Sequence, residues 1–116
     1  MKTNSYFDIG ANLTHESFDK DLITVIEKAK QNNVKKICIT STSIEDTRVS
    51  LKLLENDQNF FITTCGIHPH YADTFEESNI GEIKKLSEHP SVKAIGETGL
   101  DFNRKLSKKD NQILCF

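Results

Sequence analysis

The stretch Lys35–Leu54, KKICITSTSIEDTRVSLKLL, holds one strand-to-helix unit in full. Its opening KKICIT (Lys35–Thr40) is short and rich in β-branched residues, as strands are. Ser43 then begins SIED, a capping-box-like pattern in which the hydroxyl accepts from the backbone N–H near Asp46. Past that cap, Leu51 and Leu54 mark the apolar side of a helix that runs out near Asn56-Asp57.

The same order recurs on both sides at intervals of about thirty residues. Upstream, SYFDI (Ser5–Ile9) is a β-prone run broken at Gly10, and Phe18, Leu22, Ile26 and Ala29 share one helical face. Downstream, FFITTC (Phe60–Cys65) predicts a third strand ended by Gly66. Thr74–Glu77 repeats the capping pattern, and Ile80, Ile83 and Leu86 follow at helical spacing. His89-Pro90 closes that helix, because the residue before proline is pushed out of helical geometry. VKAIG (Val92–Gly96) predicts a fourth strand, and SKKD (Ser107–Asp110) opens a fourth helix carrying Ile113, Leu114 and Phe116. Four consecutive β–α units predict an α/β fold of parallel strands joined by helical crossovers. Strands that are apolar on both sides fit a sheet covered by helices. The last helical pattern reaches Phe116 on its apolar face, which leads to the expectation of a chain cut at that point rather than a finished domain.

Bulk properties bound the function classes. Fifteen Lys and Arg against seventeen Asp and Glu give a formal net charge of −2 over 116 residues. With 36% hydrophobic and 28% charged residues, the composition is that of a soluble globular domain. There is no basic excess from which strong non-specific nucleic-acid binding could be read, and no aromatic-interleaved basic stretch, although a local basic groove stays open. No run approaches the ~18 apolar residues of a membrane span. MKTNSYFDIG lacks the apolar stretch of a secretory signal. Cys38, Cys65 and Cys115 are odd in number and set in apolar context, as reduced structural thiols are. The expectation is a cytoplasmic protein with no membrane contact and no stable protein partner.

In parallel α/β folds ligands gather at the carboxyl ends of strands, and here those ends are polar. They carry Gly10-Ala11-Asn12-Leu13, Ser41-Thr42-Ser43, Gly66-Ile67-His68-Pro69-His70 and Glu97-Thr98-Gly99-Leu100-Asp101-Phe102. Glu97, directly after VKAIG, can bind a divalent metal or act as a general base, or else be a capping or salt-bridged glutamate. His68 and His70 would chelate one ion from an extended strand. Gly66 and Pro69 favour a turn, from which the two side chains diverge. A neutral imidazole there can instead donate to a phosphate or carbonyl oxygen. His15 and His89 read as solvated helix caps and Asp8 as either buried or rim-directed, while Ser41 has no nearby base in sequence and makes a weak case for a serine nucleophile. No GxGxxG or Walker loop is present.

FDIGANLTHESF, GIHPH and AIGETGLDFNR, in that order, resemble the N-terminal portion of the TatD family of metal-dependent hydrolases, nearest its deoxyribonuclease branch. The likeness runs from about Tyr6 to Gln112, and GIHPH with IGETGLDF is a highly specific pair of motifs. It implies an amidohydrolase-like TIM barrel with a divalent cation (Mg²⁺, Mn²⁺ or Zn²⁺) at the strand ends, and deoxyribonuclease or exonuclease action on DNA or RNA. By the same resemblance Glu97 binds the metal, and His68 is catalytic and contacts the substrate phosphate. His70 and Asn12 line the substrate side, and Asp101 supports the site from behind. The His-x-His pair that many members carry after the first strand corresponds here to Gly10 and Asn12, a difference the deoxyribonuclease branch shares. The family's later histidines and catalytic aspartate lie on strands beyond the fourth. A full (β/α)₈ barrel takes about 250 residues, so the expectation is about four of eight units: one partial domain over residues 1–116. On that basis the chain alone is an inactive fragment, and the hydrolase activity belongs to the full-length form.

Overall fold

Apolar runs bounded by glycine or polar loops become strands, and the 3.6-period runs between them become the helices that cover the sheet. The computed structural model describes residues 4–116, so the first three residues of the expected domain lie outside the described residues. The strands are β1 (Tyr6–Ala11), β2 (Val34–Ile39), β3 (Phe61–Cys65) and β4 (Val92–Ile95). They form one sheet in the order β1-β2-β3-β4, and all three neighbouring pairs are parallel. The crossovers are α1 (Leu22–Gln31), α2 (Ile44–Leu54) and α3 (Ser78–Ser87), with α4 (Lys109–Cys115) after β4. Two 3₁₀ turns, Glu16–Phe18 and Pro69–Thr74, sit in the loops at strand ends.

Register places Ile37 beside Phe61 and Ile39 beside Thr63, so these residues share a face. That face holds the core: Ile37, Ile39 and Phe61 pack with Leu54 of α2, and Phe18, Leu22, Ile26 and Ala29 close over it. The helical face expected around Leu22 is therefore the packed one, although Phe18 reaches it from the 3₁₀ turn rather than from α1. Ser43 caps α2 as its sequence predicts, its hydroxyl accepting from the Asp46 N–H at 3.0 Å. The buried stripe of α2 is less apolar than Leu51 and Leu54 imply, because it also includes Thr47 and Ser50, both fully buried.

The other two capping patterns fail, each for a tertiary reason. The Thr74 hydroxyl donates to the Tyr71 carbonyl at 2.7 Å and closes the 3₁₀ turn, so α3 begins only at Ser78. The Ser107 hydroxyl donates to the His70 carbonyl at 2.8 Å and accepts from the Asp73 N–H at 3.2 Å. It thus pins the last loop to the Pro69–Thr74 turn and leaves the start of α4 without a side-chain cap. On α4 the side that faces inward is not the expected apolar one. Ile113, Leu114 and Phe116 are exposed, while Gln112 is buried. Its amide accepts from the Asp101 N–H at 2.8 Å and donates to the Asp101 and Ser107 carbonyls. A side chain with both its donor and acceptor groups satisfied can be buried in place of a leucine.

Candidate active site

The polar strand ends converge as parallel topology requires. The Gly96 N–H donates to the Cys65 carbonyl at 2.9 Å, the Glu97 N–H to Ser41 at 2.7 Å, and the His68 N–H to Thr42 at 2.8 Å. Gly66 makes this closeness possible. A Cβ there would stand 2.7 Å from the Gly96 carbonyl carbon and 2.9 Å from the Glu97 carbonyl oxygen. The loops after all four strands border one cleft of about 900 Å³ that includes Asn12, Asp46, His68, His70, Glu97 and Arg104. Glu97 and Asn12 also face a smaller recess of about 330 Å³ beside Gly10.

His68 and His70 do not diverge. His68 is the N-cap of the 3₁₀ turn, and its Nδ1 accepts from the His70 N–H at 3.0 Å, which folds both rings to one side. Their centroids lie 4.2 Å apart at 69°, edge to face. Each Nε2 nevertheless has its own carboxylate, so the pair makes no chelate: His68 faces Glu97 at 3.5 Å, and His70 bonds Asp101 at 2.7 Å. With Nδ1 accepting, a neutral His68 carries its proton on Nε2. Burial holds the His68 pKa below its ordinary 6.5, and His70 and Arg104 work in the same direction, against the opposite pull of Glu97 and Asp101. At neutral pH His68 is thus a neutral N–H donor aimed toward Glu97, at a distance too long for a good direct hydrogen bond.

Asp101 is held ionised. The Arg104 N–H, His70 and the Asn103 N–H bring its pKa down from 3.8 to about 2, the Arg104 contact contributing most. His70 therefore donates from Nε2. The support expected of Asp101 is directed at His70, and Gln112 fixes the Asp101 backbone from behind.

Asp46 is the wall residue that the sequence gives no reason to single out beyond its place in a capping box. Its carboxylate accepts from the Thr42 N–H at 2.8 Å, from the Thr42 hydroxyl at 3.0 Å, and from the Thr14 hydroxyl. It thereby ties the loop after β1 to the loop after β2. Ser41, by contrast, is fully buried below the cleft, its hydroxyl within 3.2 Å of Thr63 and 3.3 Å of Ser50. It is no nucleophile and instead anchors Glu97 through its carbonyl. His15 caps its 3₁₀ turn as expected, and exposed Asp8 accepts from the Gly10 N–H.

The donor set limits what this chain can hold. Among the described residues no group of three or more His, Cys, Asp or Glu side chains could hold a metal ion. Glu97 offers a half-exposed carboxylate, and Asn12 beside it a neutral amide. Zn²⁺ takes about four ligands and Ca²⁺ or Mg²⁺ about six or more. Glu97 fits as one ligand of such a site, and the described residues do not complete it.

Residues 7–116 match the family model for TatD-related DNase. The chain belongs to that family. It is 43% identical over 110 residues to the 3'-5' ssDNA/RNA exonuclease TatD of Musicola paradisiaca, covering 95% of this chain and 42% of that protein. A TatD family hydrolase from Entamoeba histolytica superposes with a TM-score of 0.86 at 30% identity, over 97% of this chain and 44% of that one. A TatD homologue from Escherichia coli superposes at 0.79 and 26% identity, over 95% and 43%. The chain thus spans about two fifths of the length of these relatives, and its four β/α units are the counterpart of part of the TatD barrel. In this chain His68 and His70 of GIHPH and Glu97 of GETGLDF line the same cleft.

Proposed function

We propose that the protein to which this chain belongs is a metal-dependent hydrolase of phosphodiester bonds in single-stranded nucleic acid. The observation that supports this best is the His68–Glu97 pair at the strand ends, a neutral N–H donor 3.5 Å from a half-exposed carboxylate in an open polar cleft. Glu97 would contribute one oxygen ligand to a divalent cation, with the remaining donors supplied from outside the described residues. Bound there, such a cation would supply Lewis-acid neutralisation of phosphate charge and activation of a water.

The other residues act on the substrate. His68 donates from Nε2 to a non-bridging phosphate oxygen and stays neutral because its surroundings disfavour the imidazolium. His70, fixed by Asp101, and Asn12 border the path of the strand, and Arg104 adds positive charge at the rim. On this reading the chain is one partial barrel domain that would not catalyse by itself. Names of relatives that act on ssDNA and RNA support the substrate class. Two free, buried cysteines, Cys38 and Cys65, are compatible with a reducing cytoplasm. Among the described residues no helix is long and apolar enough to cross a membrane.

Cleavage of a labelled oligonucleotide in added Mg²⁺ or Mn²⁺ tests this in the full-length protein. Glu97→Ala should abolish cleavage while leaving the far-UV dichroism unchanged, and undiminished cleavage would sink the ligand assignment. For the 116-residue chain, titration calorimetry should find no tight Mn²⁺ or Mg²⁺ site; micromolar binding would contradict the incomplete donor set.

A further inference from the structure

The segment running from the β4–α4 loop into the start of α4 carries more positive charge than the cleft chemistry uses. Residues 102–109 read FNRKLSKK, four basic residues and no acid, in a protein of net charge −2. Phe102 and Lys109 are far apart in the chain, so no aromatic-interleaved basic pattern is legible there. Folding closes that distance, placing the Lys109 ammonium 5.2 Å from the Phe102 ring centroid. The loop is fixed, since Ser107 binds the His70 carbonyl and Gln112 binds the Ser107 carbonyl. Phe102, Lys105, Lys108 and Lys109 line a groove of about 420 Å³. Arg104, one residue before Lys105, lines the cleft that holds His68 and Glu97. Between these recesses the chain turns at Lys105, whose φ of 55° is uncommon for a residue with a side chain.

We propose that this groove guides single-stranded nucleic acid toward the cleft, with Phe102 stacking on a base and Lys105, Lys108 and Lys109 meeting the backbone phosphates. The assignment rests on the nuclease reading of the cleft and adds a subsite to it. Aromatic faces interleaved with a basic groove bind single strands with little sequence preference. Phe102 is 41% exposed, and the Lys109 ammonium lies over its ring. One acid lines the groove, Asp73, and its Oδ1 accepts from the Lys108 N–H at 2.9 Å and from the Asn111 amide at 2.8 Å. Phosphates therefore approach from the Lys105–Lys109 side.

Fluorescence anisotropy on the 116-residue chain, in EDTA to exclude cleavage, tests the groove. The probes are labelled oligo(dT) and oligo(rU) of about twelve nucleotides and a labelled dinucleotide that spans only the cleft. Phe102→Ala should weaken the long probes roughly tenfold, and Phe102→Trp should restore binding. A Lys105→Gln, Lys108→Gln, Lys109→Gln variant should reduce the salt slope by about two, at roughly 0.7 per phosphate contact. Dinucleotide binding should not change in either variant. DNA and RNA probes should respond alike, because stacking and phosphate contacts are common to both; a response confined to one would limit the subsite to that nucleic acid and overturn the shared form stated here. If both variants bind long probes as the parent does, the groove is not the guide and the cleft reading stands. If the parent binds no long probe, the groove proposal falls, while the cleft reading is judged by Glu97→Ala in the full-length protein.

Discussion

The inner strands β2 and β3 and the outer strands β1 and β4 arise from similar apolar runs and end in different environments. Ile39 and Phe61 are 0% and 1% exposed, whereas Ile9 and Ile95 are 79% and 58% exposed. Residue type does not separate them; neighbours do. Each inner strand is paired along both edges and covered by helices, and each outer strand is paired along one edge. The outer strands nevertheless deliver Asn12 and Glu97, while the inner ones supply what holds them, such as the Ser41 carbonyl under the Glu97 N–H. Burial therefore concentrates on the inner strands, while the cleft draws on the ends of both kinds, since His68 and His70 follow β3.

That division can be broken most forcefully at its buried end. Phe61→Ala should cost about 3–5 kcal/mol, while Ile95→Ala should stay within about 0.5 kcal/mol, both read by urea denaturation. Equal losses would mean that the outer strands carry the core after all. Next comes the contact that joins an inner strand to an outer one. Gly66→Ala forces a Cβ into the backbone of Gly96 and Glu97, at a cost of about 1–3 kcal/mol. Its amide signals at residues 96 and 97 should shift more than those of the core. The smallest effect is one of pH. Asp101, after β4, has a folded pKa of about 2 against an ordinary 3.8. A lowered folded value contributes stability that is complete above the unfolded pKa and is lost as pH falls toward the folded one. Stability should therefore decline between about pH 4 and pH 2, with that slope flattened in Asp101→Asn. An Asp101 carboxyl resonance titrating near 4 would remove the proposed anchoring of His70.

The sheet was legible because its signals are local. Short β-branched runs, Gly10, Gly66 and the Ser43 cap each act within a few residues, and the parallel order follows from their alternation. The polar strand ends were legible for the same reason: topology alone places Glu97 and His68 on one rim. What escaped the sequence depends on contacts made across the fold. Thr74 and Ser107 look like caps, yet their hydroxyls bond Tyr71 and His70 instead. Thr47, Ser50 and Ser41 look like solvent-facing residues, yet hydrogen bonds to Ser43, Thr63 and one another let them be buried. Gln112 occupies an apolar position in the same way. Gly66 and Pro69 suggest a turn that spreads the two histidines, whereas the His68 cap draws the rings together.

The cysteines follow the division between inner and outer elements and make it observable in time. Cys38 and Cys65 lie on β2 and β3, and Cys115 lies on α4. Burial pushes all three thiols up from their ordinary pKa, which suppresses the thiolate that alkylating reagents require. Cys115 is only partly covered, while Cys38 and Cys65 are buried. A thiol reagent followed by mass spectrometry should therefore add one label quickly and two slowly. The slow pair works as a built-in stopwatch for opening of the inner strands, with no mutation and no added probe.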